Sequence, residues 1–337
     1  MNKKFVEELC TDGLPLDKLK NAKVLVTGAN GLIASNLVEM LLLINSEKKF
    51  GMELYALCRS LEKAEARFGN ADNRDDLFYL IQDVIDPLEI DVKFDFIFHA
   101  ASSAHPGAFN TVPVEVMKSN FVGTMNLLNY CKDAKTRFVF VSSSEIYGEN
   151  FEGTELFNEK MTGSVDCTTF RACYPESKRA SETLCECYKK QYNSDVIIVR
   201  PAYIYGREII DSNARADVYF LRQVLKHEDI VMYSEGKQIR SYCYVNDCVS
   251  GILYAALKGE SGEVYNIGND ESVITLHDYA QRLANLGGVN LIYEPSEKPC
   301  GITFLKTTRC ILDCTKLRKL GWKVKYTLDE GLKEMLG

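Results

Sequence analysis

The chain is short of several things. Proline is scarce, with 8 in 337 residues, tryptophan occurs once, and the four histidines (His99, His105, His227 and His277) stand far apart. None of them has a partner at metal-ligand spacing, so no metal site is expected. Basic charge is not in excess. The formal charge is −7 and the pI about 5.4, with Lys and Arg scattered, which argues against nucleic acid or an anionic membrane as the main partner. The longest apolar run, around Leu41 to Ile44, is too short to span a bilayer, and no leader-like segment opens the chain, so a soluble cytoplasmic protein is expected. Repeats, low-complexity tracts and charge blocks are also missing. The 12 Cys include no CxxC pair and sit mostly in apolar or helical stretches such as Glu182-Thr183-Leu184-Cys185, which reads as reduced, buried thiols.

What remains is 46% hydrophobic and 26% charged, enough for one substantial core or two smaller ones. Short runs rich in β-branched and aromatic residues recur between helical stretches: Val24 to Val26, Leu54 to Leu57, Phe78 to Ile81, Phe94 to Phe98, Phe138 to Val141 and Val196 to Val199. Between two of them, residues 113–131 place Val114, Met117, Phe121, Met125 and Leu128 on one helical stripe that opens with Pro113. Strand–helix alternation of this kind predicts an α/β fold with a doubly wound parallel sheet of Rossmann type. That domain is expected over residues 1–200, with part of 240–258 packed on it. Residues 201–337, with a polar Asp211-Ser212-Asn213 loop, read mainly as a smaller substrate-binding lobe.

Val24-Leu25-Val26-Thr27-Gly28-Ala29-Asn30-Gly31-Leu32-Ile33-Ala34 is a buried strand feeding a glycine turn and then a helix. Glycines there let backbone amides approach a pyrophosphate at the positive end of the helix. Gly28, Asn30, Gly31, Leu32 and Ile33 are therefore cofactor-binding candidates. After the second strand an acid is the usual ribose ligand, but this chain has Cys58-Arg59-Ser60. Arg59 either stacks on the adenine or meets a 2′-phosphate, which leaves NAD and NADP both open. Asp83, with Val84 beside it, is a candidate for the adenine amino group.

Tyr174-Pro175-Glu176-Ser177-Lys178 shares its spacing with Tyr233/Lys237 and Tyr254/Lys258, so spacing alone selects nothing. Pro175 distinguishes the first: it suits a helix start and predicts that Tyr174 caps the helix, with Lys178 one turn on. A tyrosine acting as base near neutrality must fall roughly three units from about 10, which needs about 4 kcal/mol from neighbouring positive charge. After the fifth strand, Ser142-Ser143-Ser144-Glu145 offers hydroxyls and a carboxylate where doubly wound sheets place their ligands.

Together, Thr27 to Ala34, Asp83, His99-Ala100-Ala101, Asn120, Ser143 and Tyr174/Lys178 resemble the extended short-chain dehydrogenase/reductase family over essentially the whole chain. The resemblance implies a nucleotide-sugar enzyme with bound NAD that oxidises a sugar C4 hydroxyl. Ser143 would align the hydroxyl, Tyr174 would be the base, and Lys178 would hold the nicotinamide ribose and lower the Tyr174 pKa. Ala100, Ala101, Ser102 and Asn120 would line the cofactor. His99-Ala100-Ala101-Ser102, Ser143 to Gly148, Arg171-Ala172-Cys173-Tyr174 and Gln238 to Val245 are most similar to the UDP-glucuronate decarboxylases of that family. By that likeness Glu145 lies against the sugar, while Ser144, Tyr203, Arg240 and Arg309 contact the substrate. The chain departs from the decarboxylase pattern at Ser143, usually Thr, at Pro175 and Ser177, near Arg59, where an acid is usual, and at Tyr203, usually Asn. Nucleotide-sugar 4-epimerases and 4,6-dehydratases are the alternative reactions, and a catalytically silent dinucleotide sensor is the alternative of another class. A homodimer through the helices over 113–131 and 175–192, as in the family, is expected, with those stripes as ordinary core the other reading.

Overall fold

The computed structural model describes residues 3–149, 156–207, 215–295 and 309–337. The expected Asp211-Ser212-Asn213 loop lies outside the described residues. The six expected strands form as β1 (Lys23–Thr27), β2 (Glu53–Cys58), β3 (Leu77–Ile81), β4 (Phe96–His99), β5 (Arg137–Val141) and β6 (Asp195–Pro201). They join one parallel sheet in the order β6-β5-β4-β1-β2-β3, with Val264–Ile267 added beside β6 as a seventh strand. The doubly wound α/β fold is thus found. Its winding reverses between β1 and β4, where Thr27 lies opposite His99, and such a switch point opens a crevice at the strand ends.

The strands are apolar on both faces because both faces are covered. Val24 and Val26 pack into one layer with Leu37, Leu41 and Ile44 of the helix Leu32–Lys48, while Leu25 enters the other with Phe138, Phe140 and Ile198. The helix Pro113–Cys131 begins at its proline, as the sequence indicates, but its stripe does not all face inward. Val114, Met117 and Phe121 are exposed, while Asn120, Gly123 and Thr124 are buried. Asn120 faces the helix Cys173–Tyr192: it donates to Ser177 Oγ at 2.9 Å, and Ser181 donates to its carbonyl at 2.9 Å. The contact between these two helices thus uses an amide and hydroxyls, while the large side chains Val114, Met117 and Phe121 lie outward.

Beyond β6 a second sheet pairs Ile239–Tyr244 with Tyr203–Tyr205, Val273–Thr275 and Arg309–Cys310. The C-terminal segment is tied back onto the buried helix Val245–Lys258. Trp322 Nε1 donates to Ser250 Oγ at 3.0 Å, and the Lys325 and Tyr326 amides donate to the Asp247 carboxylate at 2.9 and 3.0 Å. Burial pushes Asp247 up to about 7 despite those amides.

A buried ionic cluster joins the elements around β6. Arg200 in β6 donates to both oxygens of Glu182, at 3.0 and 2.6 Å, and to the Tyr147 hydroxyl at 2.9 Å. Glu182 also accepts from Ser142 Oγ at 2.5 Å, and Tyr147 donates to Asn266 in the seventh strand at 2.7 Å. Removing one member of a buried pair strands the other charge. Arg200→Met is expected to lower stability by about 3–5 kcal/mol in urea denaturation, with much of the loss recovered in Arg200→Met/Glu182→Leu.

Candidate active site

The strand ends open into one cavity of about 790 Å³ whose lining runs from Gly31, Leu32 and Ile33 past Ser143, Tyr174 and Lys178 to Tyr203 and Arg240. At its first end Gly28 has φ +71°, and a Cβ there would lie 2.6 Å from Ala101 Cα, so only glycine allows the two backbones to approach. Gly31 precedes the helix Leu32–Lys48, which leaves its first amides free. The turn is anchored by Thr27, whose Oγ1 accepts from Ala101 N–H at 3.2 Å and lies 2.8 Å from His99 Nδ1. Burial, with Lys178 nearby, depresses His99 to about 3, so the ring is neutral. Asn30 Oδ1 and Ser102 Oγ are buried without partners among the described residues. A glycine cradle and two orphaned polar atoms beside a helix N-terminus fit a dinucleotide.

Arg59 and Asp83 sit together at the outer end, 3.6 Å apart, with the Arg59 side chain 73% exposed. Val84 packs against Gly123, where a Cβ would meet Val84 Cγ1 at 2.8 Å. Ala100 lines the cavity with Ser102. Asn120 stands behind it, holding Ser177 on the helix that carries Tyr174.

The helix starts at Cys173 after a tight turn at Phe170–Ala172, so Tyr174 lies within its first turn and is not the cap. The physical reason is that first-turn amides lack intrahelical acceptors, so Pro175 fits one residue further in. Tyr174 stacks on Phe109, with ring centres 5.0 Å apart, and lines the cavity with Ser143. Burial, followed by the Glu145 charge, pushes Tyr174 above its ordinary value, and the nearby Ser143 hydroxyl opposes this. Lys178 Nζ donates to the Val141 carbonyl at 2.7 Å and lies 6.0 Å from the Tyr174 ring centre. Burial brings its amine down to about 7, with Glu182 opposing.

Ser143 precedes the turn Ser144–Tyr147, and its Oγ accepts from the Glu145 amide at 3.1 Å. Glu145 takes two hydrogen bonds from Arg171 Nη2, at 3.1 and 3.0 Å. Arg171 is 5% exposed and stacks over Phe109 at 4.5 Å, while its Nε and Nη1 have no partner among the described residues. Ser144 and Cys310 line the cavity together. Across the cavity, Arg240 lies over the Tyr203 ring at 4.0 Å with Nη1 unpartnered among the described residues. Arg309 belongs to the strand beside Ile239.

Sequence reasoning assigned no role to Arg171, Phe109 or the Arg215–Asp217 pair, which also line the cavity. Arg171 stood inside the Arg171-Ala172-Cys173-Tyr174 motif. Phe109 and Arg215 carried no signal, since only the fold brings them to Tyr174.

The fold and its glycine turn define a Rossmann-type dinucleotide-binding enzyme. The model of the NAD dependent epimerase/dehydratase family matches residues 24–268, and the chain belongs to that family. UDP-glucuronic acid decarboxylase 2 of Arabidopsis thaliana is 31% identical over 326 residues, covering 95% of this chain and 68% of that protein. UDP-glucuronic acid decarboxylase 1 of Xenopus tropicalis is 28% identical over 95% of this chain and 73% of that one. Among solved structures, UDP-glucuronic acid 4-epimerase from Bacillus cereus, in complex with UDP-glucuronic acid and NAD, aligns with TM-score 0.76 at 22% identity, over 93% of this chain and 98% of that one. The dTDP-glucose 4,6-dehydratase of Streptomyces venezuelae with NAD bound gives TM-score 0.78 at 24% identity, over 93% and 95% of the two chains. NAD is the cofactor of the family. No helix among the described residues is long and apolar enough to cross a membrane.

The buried Lys178 has a stability consequence with a definite sign. The unfolded chain keeps the lysine proton to about 10.5, whereas the folded site releases it near 7, so this group makes stability rise with pH between those values. Thermal melts across that range are expected to show less of this rise in Lys178→Met, and a melting temperature at its acidic end at least about 2 °C above wild type.

Proposed function

We propose that the chain is a nucleotide-sugar enzyme working through C4 oxidation, and that its reaction is decarboxylation of a nucleoside-diphospho-uronate such as UDP-glucuronate. The observation that carries this is the meeting of Ser143, Tyr174 and Lys178 with the Glu145–Arg171 ion pair in one cavity. The likeness to the UDP-glucuronic acid decarboxylases, at 31% and 28% identity, supports the choice of substrate.

Tyr174 removes the C4 hydroxyl proton, and Ser143 aligns that hydroxyl. Bound NAD supplies a hydride acceptor at C4. A phenol pushed upward by burial and by Glu145 is protonated in the free protein, so its activation needs positive charge close by. Lys178, one turn along the helix, is the residue that supplies it and holds the ribose. The C4 ketone is β to the uronate carboxylate. The C5–C6 bond then breaks, its electron pair enters the enolate, and CO2 leaves, with Tyr174 and Ser143 as donors to the enolate oxygen. Arg171 and Arg240 line the cavity and suit a carboxylate and a diphosphate, with Ser144 and Tyr203 beside them. Dehydration needs an acid for the leaving C6 hydroxyl. The residue beside Ser143 is Ser144, and Glu145 is engaged by Arg171.

The exposed Val114, Met117 and Phe121, on a helix packed against Cys173–Tyr192, support a homodimer formed across these helices. The described cysteines are free thiols, which supports a reducing cytoplasmic setting.

Mass spectrometry after incubation with NAD and UDP-glucuronate, alongside UDP-, dTDP-, CDP- and GDP-hexoses, tests the reaction. Loss of CO2 from the uronate is expected. Loss of water from a hexose would make the protein a 4,6-dehydratase, and an isomer of unchanged mass a 4-epimerase. Tyr174→Phe is expected to cut turnover by about a thousandfold while leaving NAD affinity unchanged in a binding titration.

A further inference from the structure

The outer end of the cofactor site is built unlike one that reads a ribose 2′-hydroxyl. Such a site places a carboxylate at the end of the second strand, where it accepts from the hydroxyl and repels a phosphate. Here β2 ends on Cys58, a buried thiol that donates to the Ser60 carbonyl at 3.5 Å. Its burial raises its pKa, so the position carries no charge. The glycine turn is fastened to this segment: the Ala29 amide donates to the Leu57 carbonyl at 3.1 Å and Asn30 Nδ2 to the Ser60 carbonyl at 3.1 Å. A ribose delivered by the turn therefore meets residues 58–60.

Arg59 is the side chain available there. It approaches Asp83 at 3.6 Å, too long for a hydrogen bond, in a pair whose side chains are 73% and 32% exposed. A pair so exposed is weak. Asp83 has another partner, since its Oδ1 accepts from the Ile85 amide at 3.2 Å. A phosphate monoester offers three oxygens and about two negative charges, a better partner for a guanidinium than that carboxylate. Lys63, exposed in the first turn of the helix Leu61–Phe68, adds positive charge, while Glu62 beside it opposes. Asn30 Oδ1, buried and unpartnered among the described residues, is left to accept from a ribose hydroxyl.

We propose that the adenosine end of this site holds a ribose 2′-phosphate, with Arg59 as the specificity-determining residue, so that NADP(H) binds this protein as well as NAD(H). The inference rests on the dinucleotide site alone and is independent of which sugar is turned over. It is tested by fluorescence titration of the full chain, stripped of bound nucleotide, with NADH and with NADPH. NADPH is expected to bind within about tenfold of NADH, or more tightly, and to weaken more steeply with added salt. Arg59→Ala is expected to weaken NADPH about tenfold while changing NADH less than about threefold, and Cys58→Asp to act in the same direction. Retained NADH affinity shows that each variant is folded. NADPH binding more than tenfold weaker than NADH in the wild type, or equal losses for both nucleotides in Arg59→Ala, overturns the proposal. Failure to bind either nucleotide is a different result, which would remove the cofactor site itself and the proposal with it.

Discussion

The geometry of the site depends on one buried ion pair, Arg200 with Glu182. Glu182 lies two turns beyond Tyr174 on the helix Cys173–Tyr192, and its carboxylate also receives the Ser142 hydroxyl, the residue before Ser143. The pair therefore locks the end of β5 to the helix carrying Tyr174 and Lys178. Through Tyr147 and Asn266 the same cluster reaches the seventh strand, and Asn266 in turn donates to the Phe157 carbonyl at 2.8 Å. The ends of neighbouring strands and the helix carrying Tyr174 are thus held by a few charged hydrogen bonds in a dry setting, where such bonds are strong and their geometry is specific.

Against that fully paired cluster stand groups buried with less support. Lys178 has a carbonyl for a partner, His99 is kept neutral, Tyr174 is held as a phenol, and Arg171 spends one nitrogen on Glu145. A protein optimised only for stability would not bury these groups with donors left over. Placed together around a cavity that already contains a dinucleotide cradle, they have the character of a site completed by its ligands. Burial and Glu145 both oppose ionisation of Tyr174.

The family relationship and the local chemistry speak to different questions. In the proposed function the glycine cradle, Ser143, Tyr174 and the buried Lys178 would serve oxidation at a carbon bearing a hydroxyl, a step that decarboxylation, epimerisation and dehydration share. Under that proposal the fate of the ketone would rest with groups further along the cavity, Glu145 with Arg171 and Tyr203 beneath Arg240.

The sequence by itself determined the six strands, the glycine turn, the helix start at Pro113 and the candidates Ser143, Tyr174 and Lys178, because each is written in neighbouring residues: period, turn chemistry or motif. It also exposed the missing acid after β2. Strand limits shifted by at most about two residues, as for Phe94 to Phe98 against Phe96–His99. Only the tertiary structure decided that Val264–Ile267 joins the sheet, that Val114, Met117 and Phe121 face outward, and that Tyr174 lies inside its helix. Only it paired Thr27 with His99, Arg171 with Glu145 and Arg200 with Glu182. Those partners are 72, 26 and 18 residues apart, and no local pattern encodes such meetings, since they arise from which faces pack once the sheet has formed.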